Sequence, residues 1–251
     1  MLQLIRHATL RLDMHGLKFL IDPFLATTAT YPPIQRTANP VPIPMTPLPI
    51  DDAPLQHLVQ DATAIIVTHL HIDHWDAAAA AMVPKDKLLL TQPESMATLQ
   101  AQGFTNVHDL QGYTFGDVAL HRTGGRHGTG EVGQRMGPVS GVVFQAPDMR
   151  VYVAGDTIWC PEVADVLQIF QPDYVVVNAG AAQFLEGDPI TMTTADIVAV
   201  TQAVPRAHVI AVHMDTVNHC FLTRELLREF LAEQDLLEQV LVPEDGEEIL
   251  L

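Results

Sequence analysis

The stretch Thr68-His69-Leu70-His71-Ile72-Asp73-His74 directly follows the apolar run Ala64–Val67. An apolar run of this length predicts a buried strand. Alternate side chains of extended backbone point the same way, so His69 and His71 can reach one ion, while Asp73 and His74 turn toward a second position. Imidazole and carboxylate groups are the ligands that zinc, manganese and iron accept at catalytic sites. The stretch therefore predicts a metal centre at the end of a strand.

Three further candidate ligands lie far along the chain. They are His127 in GGRHG, Asp156 in AGDT and His213 in AVHMD, and each follows or ends an apparent strand. Loops at strand ends are where layered α/β folds collect functional groups. We therefore expect these three side chains to converge on the first cluster, although each by itself is also compatible with a packed histidine or a Gly-Asp turn.

Strands and helices alternate over most of the chain. The first two predicted strands, 2–5 and 17–21, form a hairpin around a turn at His15–Gly16. Further strands are predicted at 64–67, 88–90, 118–122, 139–145, 151–154, 174–177 and 209–212, and helices at 76–82, 94–102, 162–170, 194–203 and 224–233. This order predicts an α/β fold in which helices cover the outer faces of two packed sheets, an αββα arrangement.

A proline-rich segment interrupts this pattern at about 26–55, with prolines at 32, 33, 40, 42, 44, 47, 49 and 54. Such a segment is not expected to form a helix or a central strand. A long loop inside a compact fold either forms a wall near a functional site or is a surface loop without a functional role, and the sequence leaves both open. We expect residues 1–251 to form a single domain that carries this insertion.

Composition limits the possible partners. The hydrophobic content is 48%, and 13 basic against 30 acidic residues give a formal net charge of −17. This charge disfavours nucleic acid and leaves a small-molecule substrate. Two cysteines without a CxxC pair, no apolar N-terminal core and no long apolar run predict a cytoplasmic protein without a membrane segment. An oligomer of identical chains is compatible with the sequence.

The motif HxHxDH is followed along the chain by a later histidine, a Gly-Asp-Thr sequence and a final histidine. This order of motifs resembles the metallo-β-lactamase superfamily over nearly the whole chain. The segments Ile5–Thr9, Leu20–Pro23 and Ala154–Thr157 are also similar to the branch that contains ascorbate-6-phosphate lactonase. The resemblance implies the four-layer αββα sandwich of that superfamily and a metal-dependent hydrolase.

The resemblance also implies a ligand set for two divalent ions, zinc or manganese, with iron as a third option. His69, His71 and His127 would hold the first ion, and Asp73, His74 and His213 the second. Asp156 would bridge them, which fits a carboxylate because its two oxygens can contact two cations.

Two residues are candidates for catalytic roles. Asp73 would orient or deprotonate a water molecule and pass the proton to the leaving group. His7 ends the first strand, and the resembling branch also has a histidine there.

Two more residues are candidates for supporting roles. Asp22 would orient a ligand imidazole or form an Asp-Pro turn, and His219 would contact substrate, a role ranked below that of His7.

The resulting hypothesis is a dinuclear hydrolase that acts on a small, anionic, ester-like substrate, either a lactone or a phosphodiester. Arg126 and Arg135 flank His127 and would supply positive charge to a phosphodiester or simply be solvated. One alternative is a metal-binding or ligand-sensing protein without catalysis. Another is a thioesterase of the glyoxalase II type, although the segment 214–251 is too short to form the C-terminal helical domain expected of that type.

Overall fold

Residues 1–251, described here in full by a computed structural model, form two mixed sheets with helices around them. The strands are β1 Leu2–Arg6, β2 Thr9–Met14, β3 Leu17–Ile21, β4 Ala64–Val67, β5 Leu89–Thr91, β6 Val107–Asp109, β7 Thr114–Phe115, β8 Val118–Thr123, β9 Gly141–Gln145, β10 Arg150–Val153, β11 Tyr174–Asn178, β12 His208–Val212, β13 Val240–Leu241 and β14 Glu248–Ile249. The helices are α1 Asp52–Asp61, α2 Ala77–Met82, α3 Pro93–Ala101, α4 Gly130–Met136, α5 Pro161–Phe170, α6 Thr194–Ala203 and α7 Arg224–Glu233.

The two sheets each contain seven strands and pack face to face. Their strand orders are β14-β1-β2-β3-β4-β5-β6 and β13-β12-β11-β10-β9-β8-β7. Buried side chains from both sheets, including Phe19, Ile66 and Phe144, form one continuous core between them. The strands β3 to β6 run parallel, as do β10 to β13, so several strand ends lie at the same edge of each sheet. The loops that follow these strands therefore lie together at that edge.

Helices cover the outer face of each sheet, as the sequence predicts. A second core packs α1, α2 and α3 on the sheet that contains β3 to β5, and a third packs α5, α6 and α7 on the other sheet. The predicted αββα sandwich is therefore confirmed. The core shared by the two sheets supports a single domain, which stays a prediction. No helix combines the length and apolarity that crossing a bilayer requires.

Two sequence predictions are wrong in detail. The opening is a three-stranded meander rather than a hairpin, because Thr9–Met14 forms β2 between β1 and β3. Its buried Leu10, Leu12 and Met14 alternate with half-buried charged residues, a period-two pattern that the charges obscure. The proline-rich loop ends before residue 55, because α1 begins at Asp52. Pro54 is accommodated because a first-turn residue needs no helical N–H partner.

The rest of the proline-rich segment lies against the loop that follows β12. The Asn218 side chain fastens the two together: its Oδ1 accepts from the Ile34 N–H at 3.0 Å, and its Nδ2 donates to the Asn39 carbonyl at 2.6 Å. Ile34 contributes to the wall of the cavity described below. Of the two readings left open by the sequence, a wall near the site is therefore the one that fits the structure.

Candidate metal centre

The first group of converging side chains consists of His69, His71, His127 and Asp156, whose candidate ligand atoms all lie within 4.8 Å of one another. His69 Nε2 is 3.0 Å from His71 Nδ1, and His127 Nε2 is 3.3 Å from the same atom. The two β4-loop histidines thus point the same way, as the alternation of extended backbone predicts. His127 reaches them from the loop after β8 in the other sheet.

The second group consists of His7, Asp73, His74 and His213, all buried. His74 Nε2 lies 3.2 Å from His213 Nε2, and His213 Nε2 lies 3.4 Å from Asp73 Oδ2. His7 Nε2 is 3.2 Å from the same carboxylate oxygen. His7 therefore lies among the candidate ligands and contacts the Asp73 carboxylate.

Asp156 lies between the two groups. Its Oδ2 is 3.3 Å from His127 Nε2 and 3.2 Å from His74 Nε2, and its Oδ1 is 3.3 Å from His213 Nε2. One carboxylate therefore contacts imidazoles of both groups. Asn178, at the end of β11, donates to Asp156 Oδ1 at 2.6 Å and fixes its orientation.

Three residues at strand ends have left-handed backbone conformations that direct the chain into this centre. His7 follows β1 with φ 60°, Asp22 follows β3 with φ 46°, and His213 follows β12 with φ 67°. Such conformations cost about 1–3 kcal/mol each and concentrate at functional sites. The His213 N–H donates to the His7 carbonyl at 2.9 Å, which joins the two sheets at this edge.

Outer contacts fix which ring nitrogen faces the centre. His74 Nδ1 donates to Asp22 Oδ2 at 2.8 Å, and His127 Nδ1 donates to the Ile190 carbonyl at 2.9 Å. Both partners are acceptors only, so the ring nitrogen that touches each must carry the proton. The Nε2 lone pairs of His74 and His127 are thereby directed inward, as metal ligation requires.

Burial and neighbouring charges shift the pKa values of the two groups in different ways. Burial holds the pKa of His69 and His127 below the ordinary histidine value. Burial also disfavours charge on His74, but the carboxylates of Asp156, Asp22 and Asp73 outweigh it and raise the His74 pKa well above that value. His69 and His127 are therefore neutral, whereas His74 binds a proton that a cation would replace.

The donor set fits divalent cations on the chemistry of its atoms. Imidazole nitrogens lie as close as 3.0–3.3 Å to one another beside buried carboxylates, and two lone pairs at that distance repel unless a proton or a cation lies between them. A cation bound among them satisfies these atoms together, and soft thiolate ligands are absent because Cys160 and Cys220 lie outside both groups. Burial raises the pKa of the Cys220 thiol, so that it stays protonated at neutral pH.

A cavity of about 220 Å³ opens onto these residues. Its floor is formed by His71, His127, Asp73 and Asp156, and its walls by Ile34, Ile72, Met136, Phe184, Ile190 and His219. No lysine or arginine lines it. Arg126 instead pairs with Glu162 at the surface at 3.0 Å, and Arg135 is exposed, so neither supplies charge to the cavity as the phosphodiester hypothesis would need.

The structure brings together all of the predicted ligand positions: His69, His71, Asp73, His74, His127, Asp156 and His213. Sequence reasoning missed Asn178 and the apolar walls. Asn178 carried the same strand-end signal as Asp156, whereas Met136 and Phe184 lie in segments without any chemical motif. His7 is at the centre as expected but does not line the cavity, so it has no direct route to a substrate.

Known proteins resemble this chain over its whole length. The family model described as Beta-lactamase superfamily domain matches residues 18–214. The protein YddR of Bacillus subtilis (strain 168) is 41% identical over 250 residues, which cover 97% of this chain and 96% of that protein.

Two solved structures are similar in fold and sequence. A possible metal-dependent hydrolase from Veillonella parvula DSM 2008 gives a TM-score of 0.95 at 39% identity, with 100% of this chain and 98% of that chain covered. An isothiocyanate hydrolase from Delia radicum gut bacteria gives a TM-score of 0.94 at 37% identity, with the same coverage. The narrower resemblance to ascorbate-6-phosphate lactonase is not confirmed by these similarities and stays a prediction.

Proposed function

This chain belongs to the metallo-β-lactamase superfamily as a metal-dependent hydrolase, and we propose that it uses two divalent ions to hydrolyse a small electrophile with an apolar substituent. His69, His71 and His127 would hold one ion, and Asp73, His74 and His213 the other. The observation that carries the proposal is the position of Asp156, which contacts imidazoles of both groups at 3.2–3.3 Å. Zinc and manganese both suit this donor set, and iron is a third option.

Divalent ions bound there would supply a hydroxide nucleophile near neutral pH, because coordination lowers the pKa of water to roughly 7. Asp73 lines the cavity floor, where its carboxylate can accept a proton from the attacking water and return it to the leaving group. His7 holds Asp73 through the 3.2 Å contact and is therefore assigned a positioning role.

The cavity favours an uncharged substrate over an anionic one. Five of its wall residues are Ile34, Ile72, Met136, Phe184 and Ile190, and no basic side chain lies among them. A phosphodiester spreads negative charge over several oxygens and benefits from nearby cationic side chains, which this cavity lacks. We therefore revise the expected anionic ester: of the two original substrate classes, the lactone fits better.

An isothiocyanate fits the same cavity and is our leading substrate class. It has one electrophilic carbon between nitrogen and sulfur, no charge, and an organic substituent that the apolar walls can bind. The structural neighbour from Delia radicum gut bacteria is named for this activity. The lactone is the second candidate, and the thioester of the glyoxalase II type is retained as a third test substrate.

The test combines metal analysis with a substrate panel. Purified protein is assayed on phenethyl isothiocyanate, γ-butyrolactone, bis-p-nitrophenyl phosphate and a thioester, beside Asp156→Asn and the exposed control Asp86→Asn. We expect about two equivalents of metal, turnover of the isothiocyanate, and loss of both metal and turnover only in Asp156→Asn. One equivalent of metal, or activity that does not depend on Asp156, would overturn the proposal.

A further inference from the structure

His219 is the one polar side chain that lines the cavity without belonging to either candidate ligand group. It is only 6% exposed, and its Nδ1 is buried without a hydrogen-bond partner. A buried polar atom without a partner is costly, and such atoms are uncommon in folded proteins. Since Nδ1 is buried, the ring edge that carries Nε2 is the one left to face the cavity.

The position of the His219 ring is fixed from several sides. Phe184 packs beside it with ring centroids 5.7 Å apart, and the His219 carbonyl accepts from the Gln183 N–H at 2.9 Å. The preceding residue, Asn218, is fastened to the proline-rich segment by its side chain. The imidazole is therefore preorganised, so that no ordering of the ring is needed when a ligand enters.

The ring is also in the protonation state that a hydrogen-bond donor needs. Burial lowers the pKa of His219 to about 4, so the imidazole is neutral at pH 7 and has one N–H and one lone pair. No protein acceptor holds that proton on Nδ1. The proton can therefore lie on Nε2, at the edge of the ring that faces the cavity.

We propose that His219 contacts the substrate and donates a hydrogen bond to the atom on which negative charge develops during attack, an inference that rests on the proposed hydrolysis. In an isothiocyanate the attacking oxygen bonds to the central carbon and the C=N electron pair moves onto nitrogen. His219 stabilises that charge without transferring its own proton, and the proton for nitrogen comes from the attacking water by way of Asp73. The cavity holds no lysine or arginine that would take this role.

Kinetics test the donor role with two variants. His219→Phe keeps a ring beside Phe184 but removes the donor, whereas His219→Gln keeps an N–H, and His57→Gln is an exposed histidine control. With phenethyl isothiocyanate we expect kcat to fall about 100-fold in His219→Phe, the cost of losing one preorganised donor. The fall should be about tenfold smaller in His219→Gln, while KM and metal content change little. An unchanged kcat in His219→Phe would overturn the proposal.

Binding gives a second measurement that does not depend on turnover. Phenethyl thiourea has nitrogen and sulfur on one carbon, resembles the attacked substrate, and is titrated into zinc-loaded wild type and variants. We expect its Kd to rise about tenfold in His219→Phe, the loss of one hydrogen bond, and not in His57→Gln. If binding weakens as expected but no protein turns over isothiocyanate, the donor role stands and the proposed substrate class fails. Equal binding by wild type and His219→Phe overturns the donor role.

Discussion

The two ligand groups use similar side chains but differ in burial and charge. The first contains three histidines, His69, His71 and His127, two of which have pKa values lowered by burial. In the second, only Asp73 lines the cavity, and the fully buried His74 has a raised pKa and binds a proton in the absence of metal. The difference indicates that an ion binding at His74 displaces a proton from that ring, whereas an ion binding at His69 and His127 displaces none from those two rings.

The largest expected effect comes from removing a ligand of the second group. His74→Gln should lower the metal affinity of that group and the turnover by more than about 100-fold, the upper end of what loss of an outer contact costs. It also leaves Asp22 and Asp156 without their imidazole partner. Metal analysis and initial rates check this, with the exposed His208→Gln as control. Full metal content in His74→Gln would contradict the assignment of that group.

A smaller effect is expected from the outer contact that distinguishes the second group. Asp22→Asn weakens the bond to His74 Nδ1 and should reduce metal affinity about 10–100-fold. Because Asp22 does not line the cavity, KM of the fully metal-loaded variant should stay close to that of wild type. Competition with a chelator measures the affinity, and Asp61→Asn, at an exposed position, is the matched control. Unchanged affinity in Asp22→Asn would show that the contact does not orient His74.

A third test concerns the walls of the cavity, which adjoin the first group. Ile34→Lys places a charge where the substrate substituent would bind and should lower kcat/KM for phenethyl isothiocyanate about tenfold, or about 1.4 kcal/mol. Relative activity on bis-p-nitrophenyl phosphate should rise. Val41→Lys, at an exposed position of the same loop, should leave both unchanged. A uniform loss on both substrates would indicate that Ile34 supports the loop rather than selects substrates.

A further effect concerns the stability of the metal-stripped chain. Burial lowers the pKa of four histidines, so below about pH 6.5 the unfolded chain binds protons that the folded chain does not. These are His7, His69, His127 and His219. His74, with its raised pKa, has the opposite effect, since it contributes stability below that pH.

On balance the free energy of unfolding should be lower at pH 5 than at pH 7 by at least about 1–2 kcal/mol. Urea denaturation of stripped protein at the two pH values measures it. Equal or greater stability at pH 5 would mean that these histidines are not held neutral by burial.

The sequence predicted the ligand positions because their signal is local. Thr68–His74 combines an apolar strand with four candidate ligands, and His127, Asp156 and His213 each follow or end a strand whose pattern is clear. The bounds of α6 and α7 were equally readable, since a threonine N-cap precedes each helix.

The walls of the cavity and the outer contacts were not predictable in this way. Ile34, Met136 and Phe184 come from three separate segments, and ordinary apolar side chains in loops have no periodicity that would place them together. The missed strand β2 and helix α1 have related causes, since charged residues and a proline hid their patterns. Nor does the sequence show that no basic side chain lines the cavity, which is the observation that disfavours an anionic substrate.

Counting the protons released as metal binds tests the central claim most directly. Stripped protein is titrated with zinc at pH 6 in buffers of different ionisation enthalpy, since at this pH a bound water with a pKa of roughly 7 stays mainly protonated. We predict two equivalents of zinc, with a proton displaced from His74 when the group that contains it is filled. A single equivalent of zinc, or binding of both equivalents without any proton release, would contradict two sites joined by Asp156 with a protonated His74 beside them.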